Sequence, residues 1–148
     1  MISFLKFFRF LGPTLLFFGT FVVLPPVVLS YFNNVLDNEM LNIYLVCMAY
    51  SVIIFFTLRQ RKFTYSPKDG FVITFLTWVI ISLLASMPFL NANLVFFDAL
   101  FEAVSGLTTT GSTVIKDLSQ LPDHILLYRQ LLQWAGGVGL VIVVLAII

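Results

Sequence analysis

Charge is absent from long stretches of this chain, and that absence limits its folding more than any other feature. No Asp, Glu, Lys or Arg occurs from Phe10 to Leu36, Met40 to Leu58, Gly70 to Phe97, or Gln130 to Ile148. A helix of about 20 apolar residues crosses a bilayer, and each run is that long or nearly so. The chain is 60% hydrophobic and 10% charged, against about 45–50% and about 25% in soluble domains. So little polar surface cannot cover a core in water, and the chain is too apolar for disorder. The net charge of +1 leaves no dense basic face for nucleic acid. Cys47 is the single cysteine and His124 the single histidine. An intrachain disulfide and a Cys/His metal site are therefore not expected. No nucleophile, base or metal constellation is present, so the expectation is a protein that is not an enzyme.

The first run follows Lys6 and Arg9. It exceeds the about 7–15 apolar residues of a signal peptide, and no A-x-A-like site closes it. It reads as an uncleaved helix that Pro25-Pro26 kinks or ends. Basic residues collect on the cytoplasmic side of a membrane. With the N-terminus inside, Lys6, Arg9, Arg59, Arg61, Lys62 and Lys68 are cytoplasmic, six of the eight basic residues. The loop Arg59-Gln60-Arg61-Lys62 then reads as a topology anchor that can also touch anionic lipid. The third span starts at Pro67, with Pro88 as its stop. The fourth starts near Asp123 and ends on Leu145-Ala146-Ile147-Ile148, with no basic or aromatic anchor. That ending suggests a chain cut within, or at the inner end of, its fourth helix.

Pro88 to Asp123 does not read as a span. Asn91-Ala92-Asn93 is a turn, and Phe96 to Ser105 a short helix of about 15 Å, half a membrane. Asn93 or Asp98 serves at its start, and Gly106 stops it or allows a turn. Leu107-Thr108-Thr109-Thr110-Gly111-Ser112-Thr113-Val114 follows. Irregular backbone at membrane depth is tolerated only inside protein or along a water-filled path. Such a loop can aim carbonyls at a dehydrated cation, with the negative end of the short helix behind them. Thr109 and Thr110 favour an extended backbone, and Gly111 supplies angles closed to other residues. The same residues also suit a plain polar turn, and spacing alone leaves both readings open.

Asp98 to Thr113 reads DALFEAVSGLTTTGST, and Arg129 to Gly139 reads RQLLQWAGGVG. With Asp69-Gly70-Phe71, Trp78, Pro88-Phe89 and Leu121-Pro122, these stretches resemble the Trk/Ktr/HKT superfamily of potassium transporters. Within it they look like the bacterial TrkH/TrkG branch, and the resemblance covers about half the chain densely. The resemblance implies an all-α integral membrane protein of the bacterial cytoplasmic (inner) membrane, with transmembrane helices plus one re-entrant pore helix and filter loop. Residues 1–62 would be an accessory helix pair. Residues 63–148 would be the first pore repeat: outer helix, pore helix, filter loop, incomplete inner helix. Thr109, Thr110, Gly111 and Ser112 would offer ion-facing carbonyls to K⁺, supported by Thr108, Thr113, Glu102 and Arg129. No cofactor is implied beyond K⁺ as the transported ion. Implied partners are the lipid bilayer, further pore repeats or copies, a second copy of the full-length protein in a homodimer, and a cytoplasmic nucleotide-binding regulatory subunit. The family has four repeats around one pore, and three are missing here. The chain is therefore expected to be an N-terminal portion. The alternatives are a small non-conducting protein that docks on a full transporter, and a homotetrameric pore.

Four residues carry further expectations. Asp98 and Glu102 share a face of the short helix. Glu102 reads as a structural partner of Arg129 or as electrostatic help for cations. Ala135 and Gly139, four apart, suit close helix packing rather than a phosphate loop, which needs a preceding strand and a Lys.

Overall fold

The computed structural model describes residues 4–61 and 63–147, so Lys62 of the basic loop and Ile148 lie outside it. The described residues form helices and no strands. Helix α1 (Phe4–Phe18) passes through a π-helical turn (Gly19–Val23) into α2 (Leu24–Phe32). There follow α3 (Asn38–Leu58), α4 (Pro67–Asn91), α5 (Phe96–Leu107), a 3-10 turn (Leu118–Gln120) and α6 (Asp123–Ile147). Among the described residues, Phe4–Phe32, Asn38–Leu58 and Lys68–Asn91 are long and apolar enough to cross a membrane. The fourth expected span, α6, has 25 residues, or about 37 Å.

Of the two outcomes open to Pro25-Pro26, a kink or an end, the second does not occur: the helical path does not end there. Neither proline has an N–H to donate, and each ring crowds the preceding turn. That turn widens to a π turn, in which the Leu24 N–H reaches back to the Gly19 carbonyl, and the helix then resumes. Pro88 does not stop α4 either, because α4 continues to Asn91. The proline leaves one carbonyl of the preceding turn without its helical donor. In that turn α6 contributes a donor of its own: Tyr128 Oη donates to the Ala85 carbonyl at 3.1 Å. The chain turns instead at Asn93, which has φ 64°. At its other end α4 starts as expected. Pro67 takes the first turn, and Ser66 and Asp69 form a reciprocal capping box. Asp69 also binds Lys6 Nζ at 2.8 Å, which ties the start of α1 to the start of α4.

The helices pack in an order that leaves α5 in the middle. α1 lies on α3; α2 and the π turn lie on α6; α4 and α6 flank α5. Val22, Val23, Cys47, Ala99, Tyr128 and Leu132 are fully buried where these surfaces meet. Asp37 caps α3 through the Glu39 and Met40 N–H groups, and its second oxygen lies 3.5 Å from His124 Nε2. The loop before α3 is thus joined to the start of α6. Val46, Ile53 and Phe56 of α3 and Phe71 and Phe75 of α4 are exposed, an apolar exterior suited to lipid.

Candidate functional site

The depth of α5 follows from its contacts with α6. Glu102 meets Arg129, and Gly106 faces Leu132. The Leu107 carbonyl lies against Gly136, about halfway along α6 (Asp123–Ile147). α5 therefore descends beside α6 and stops near its midpoint, about 20 Å from its start. Residues 108–122 must climb back. On that return, Asp117 Oδ1 accepts from the Ser119 hydroxyl at 2.7 Å and the Ser119 N–H at 3.0 Å, and Oδ2 accepts from the Gln120 amide at 3.0 Å. These bonds, the Ser119 hydroxyl first, hold the Asp117 carboxyl below the usual carboxylate range.

The two ends of α5 meet expectation only in part. Val95 stands at the N-cap position without a side-chain bond, so Asn93 does not cap the helix; Asp98 does sit in its first turn. Gly106 does not stop the helix. It is a buried helical residue, and a methyl there would come within 3.0 Å of Leu132 Cβ. The stop is Thr109, at φ 58°. The Thr109 N–H bonds to the Gly106 carbonyl at 2.9 Å, and the Thr110 N–H to the Ser105 carbonyl at 3.0 Å. This pair of bonds is a Schellman motif, whose left-handed position usually takes Gly. A β-branched residue there costs about 1–2 kcal/mol. Thr109 is thus left-handed rather than extended, because closing the helix end outweighs the local preference of its side chain.

Beyond Thr109 the loop is held by side chains. Arg129 Nε binds Glu102 Oε2 at 3.0 Å, and one terminal guanidinium nitrogen donates to the Gly111 carbonyl at 2.9 Å. The other Glu102 oxygen accepts from Thr113 Oγ1 at 2.5 Å and the Val114 N–H at 2.8 Å. Ser105 Oγ donates to the Ser112 carbonyl at 2.6 Å. Glu102 is 0% exposed and Arg129 5%, so each depends on the other for charge compensation. A guanidinium this near the loop would repel cations by itself. Glu102 neutralises it, and the geometry is obtained without net charge.

The pairing of Glu102 with Arg129 appears as expected, and it gathers Thr113, Gly111 and Val114 around it. Thr108 lies at the helix end, its hydroxyl on the Val104 carbonyl and in contact with Thr110 Oγ1 at 2.9 Å. The four nominated carbonyls are not equivalent. Those of Gly111 and Ser112 accept from Arg129 and Ser105. Among the described residues, those of Thr109 and Thr110 accept no hydrogen bond from this chain, and both residues are exposed. Gly111 has φ 74°, a conformation that glycine adopts without strain. Gly136 and Gly139 serve packing: the first lets α6 close on Leu107, and the second lies beside Trp78.

Known proteins resemble this chain in sequence and in helical fold. The TrkH family, described as cation transport proteins, matches residues 36–148. The Trk system potassium uptake protein TrkH of Salmonella typhimurium is 34% identical over 143 residues, covering 95% of this chain and 30% of that protein. TrkG of Escherichia coli, also named a Trk system potassium uptake protein, is 33% identical over 132 residues, 85% of this chain and 27% of its own length. The crystal structure of the potassium transporter TrkH from Vibrio parahaemolyticus superposes with a TM-score of 0.82 at 35% identity. It covers 98% of this chain and 32% of that one. The chain thus spans about 30% of the length of the curated TrkH relative. On the family match and the shared helical architecture, this chain belongs to the TrkH family of cation transport proteins.

Proposed function

We propose that residues 108–113 form one wall of a K⁺ selectivity filter, and that the chain serves potassium uptake as one pore repeat with an accessory helix pair. α5 is then the pore helix and α6 the inner helix, with the division falling at residues 62 and 63. The observation that carries this reading is the division of labour among the loop carbonyls. Those of Gly111 and Ser112 are tied to α6 and α5, while those of Thr109 and Thr110 are exposed and have no partner among the described residues. Free carbonyls on a rigid, uncharged support can replace the hydration shell of a monovalent cation. The C-terminal end of α5 adds a negative potential behind them. One loop is one part of a ring, so further pore repeats or copies must complete it.

The N-terminus is taken as cytoplasmic because six of the eight basic residues then lie inside. The bacterial inner membrane, a homodimer of the full-length protein and a cytoplasmic nucleotide-binding regulator are proposed on the resemblance alone.

The test is G111S in the assembled transporter that carries this segment, measured as K⁺ and Na⁺ uptake in potassium-starved cells. A side chain at φ 74° strains the loop by about 1–2 kcal/mol, and the K⁺ over Na⁺ ratio is expected to fall by about tenfold. A variant that still folds and keeps the wild-type ratio would contradict the filter assignment.

A further inference from the structure

Hydroxyl side chains in this protein mostly bond back to their own helix. Thr14, Ser30, Thr57, Thr77, Ser82 and Ser86 all donate to a carbonyl three or four residues earlier, the usual habit of helical Ser and Thr. Ser105 does not. Its hydroxyl leaves the last turns of α5 and donates to the Ser112 carbonyl at 2.6 Å. Its own carbonyl accepts from the Thr110 N–H at 3.0 Å and the Gly111 N–H at 3.3 Å. One buried residue, 6% exposed, thus holds the loop both before and after Gly111.

We propose that Ser105 is a positioning residue that sets the orientation of the free Thr109 and Thr110 carbonyls, and through them ion discrimination. The proposal rests on the filter reading given above. The Thr110 and Gly111 N–H bonds to the Ser105 carbonyl orient the peptide planes that carry the Thr109 and Thr110 carbonyls. The Ser105 hydroxyl, by holding the Ser112 carbonyl, keeps the loop from pulling away from those bonds. Without that hydroxyl the Ser112 carbonyl loses its donor and can rotate. The remaining anchors stay: Arg129 on Gly111, and Glu102 on Thr113 and Val114. The loop then keeps its place on α5 and α6 but gains freedom within it. Selectivity should move while the fold does not, and this separates a positioning role from a merely structural one.

The experiment compares S105A, S105T and G111S in the assembled transporter, reading K⁺ and Na⁺ uptake together with thermal unfolding in detergent. One hydrogen bond supports a change of about three- to tenfold. S105A is expected to lower the K⁺ over Na⁺ ratio by that factor with little change in melting. S105T, which keeps the hydroxyl, is expected to restore the ratio. S105C, with a weak thiol donor, should fall between wild type and S105A, and it provides a second reading if S105A assembles poorly. A wild-type ratio in S105A or S105C while G111S loses discrimination overturns the role of Ser105. So does an S105T variant as impaired as S105A. Unchanged ratios in both S105A and G111S overturn the filter reading itself, and this proposal with it.

Discussion

R129M is expected to destabilise the protein by about 3–5 kcal/mol, the usual cost of stranding one member of a buried ion pair. The environment explains why the effect should be large. Glu102 is fully buried, and Arg129 Nε at 3.0 Å is its cationic partner. Removing the guanidinium also takes the donor from the Gly111 carbonyl, so the loop should loosen where its left-handed backbone is most exacting. Joint removal, E102Q with R129M, should cost less than R129M alone, because no uncompensated charge is left behind. Thermal unfolding of wild type and the two variants in detergent makes the comparison. Equal melting of R129M and wild type would show that the pair does not hold α5 to α6.

The second large effect is expected at adjacent glycines with opposite consequences. A methyl on Gly136 would fall inside the Leu107 carbonyl group, and backbone cannot yield as a side-chain tip can. G136A should force α5 and α6 apart at a cost of about 1–3 kcal/mol or more, at the point where the helix end feeds the loop. A methyl on Gly137 meets only Thr109 Cγ2, at an ordinary 3.6 Å. G137A should therefore be tolerated, or gain up to about 1 kcal/mol from helix propensity. Folded yield and melting temperature separate the two. If G136A behaves like G137A, the close approach of α6 to Leu107 is not what sets the depth of α5.

These contacts show what can be read from residues alone. The long helices are legible because charge is so scarce that the long uncharged runs stand out. The α5 helix is legible because ten or so amphipathic residues end in a Thr/Gly stretch that no continuing helix would choose. Glu102 and Arg129 can be matched because both are charges at membrane depth, where an unpaired one is costly.

What stays hidden in the sequence depends on neighbours. Pro88 is an ordinary stop signal, yet α4 continues past it to Asn91. Pro25-Pro26 signals a break, while the π turn ahead of it absorbs the misfit. A β-branched Thr109 argues for extended backbone, and the helix-closing bonds overrule it. Ser105 is the loop-holding side chain hardest to see. Its one signal is its place three residues after Glu102 on the same helix face, and that spacing does not reveal a bond to Ser112. The meeting of Asp37 and His124 is hidden for the same reason, since it joins segments far apart in the chain.

If the Thr109 and Thr110 carbonyls line a K⁺ path, thallium, an electron-dense monovalent substitute for K⁺, should bind beside them in a crystal structure of the assembled transporter. Anomalous density is expected at the Thr109 and Thr110 carbonyls, weakened by competing K⁺ and lost in G111S. Thallium bound elsewhere in the protein, with no density at this loop, would contradict the filter reading.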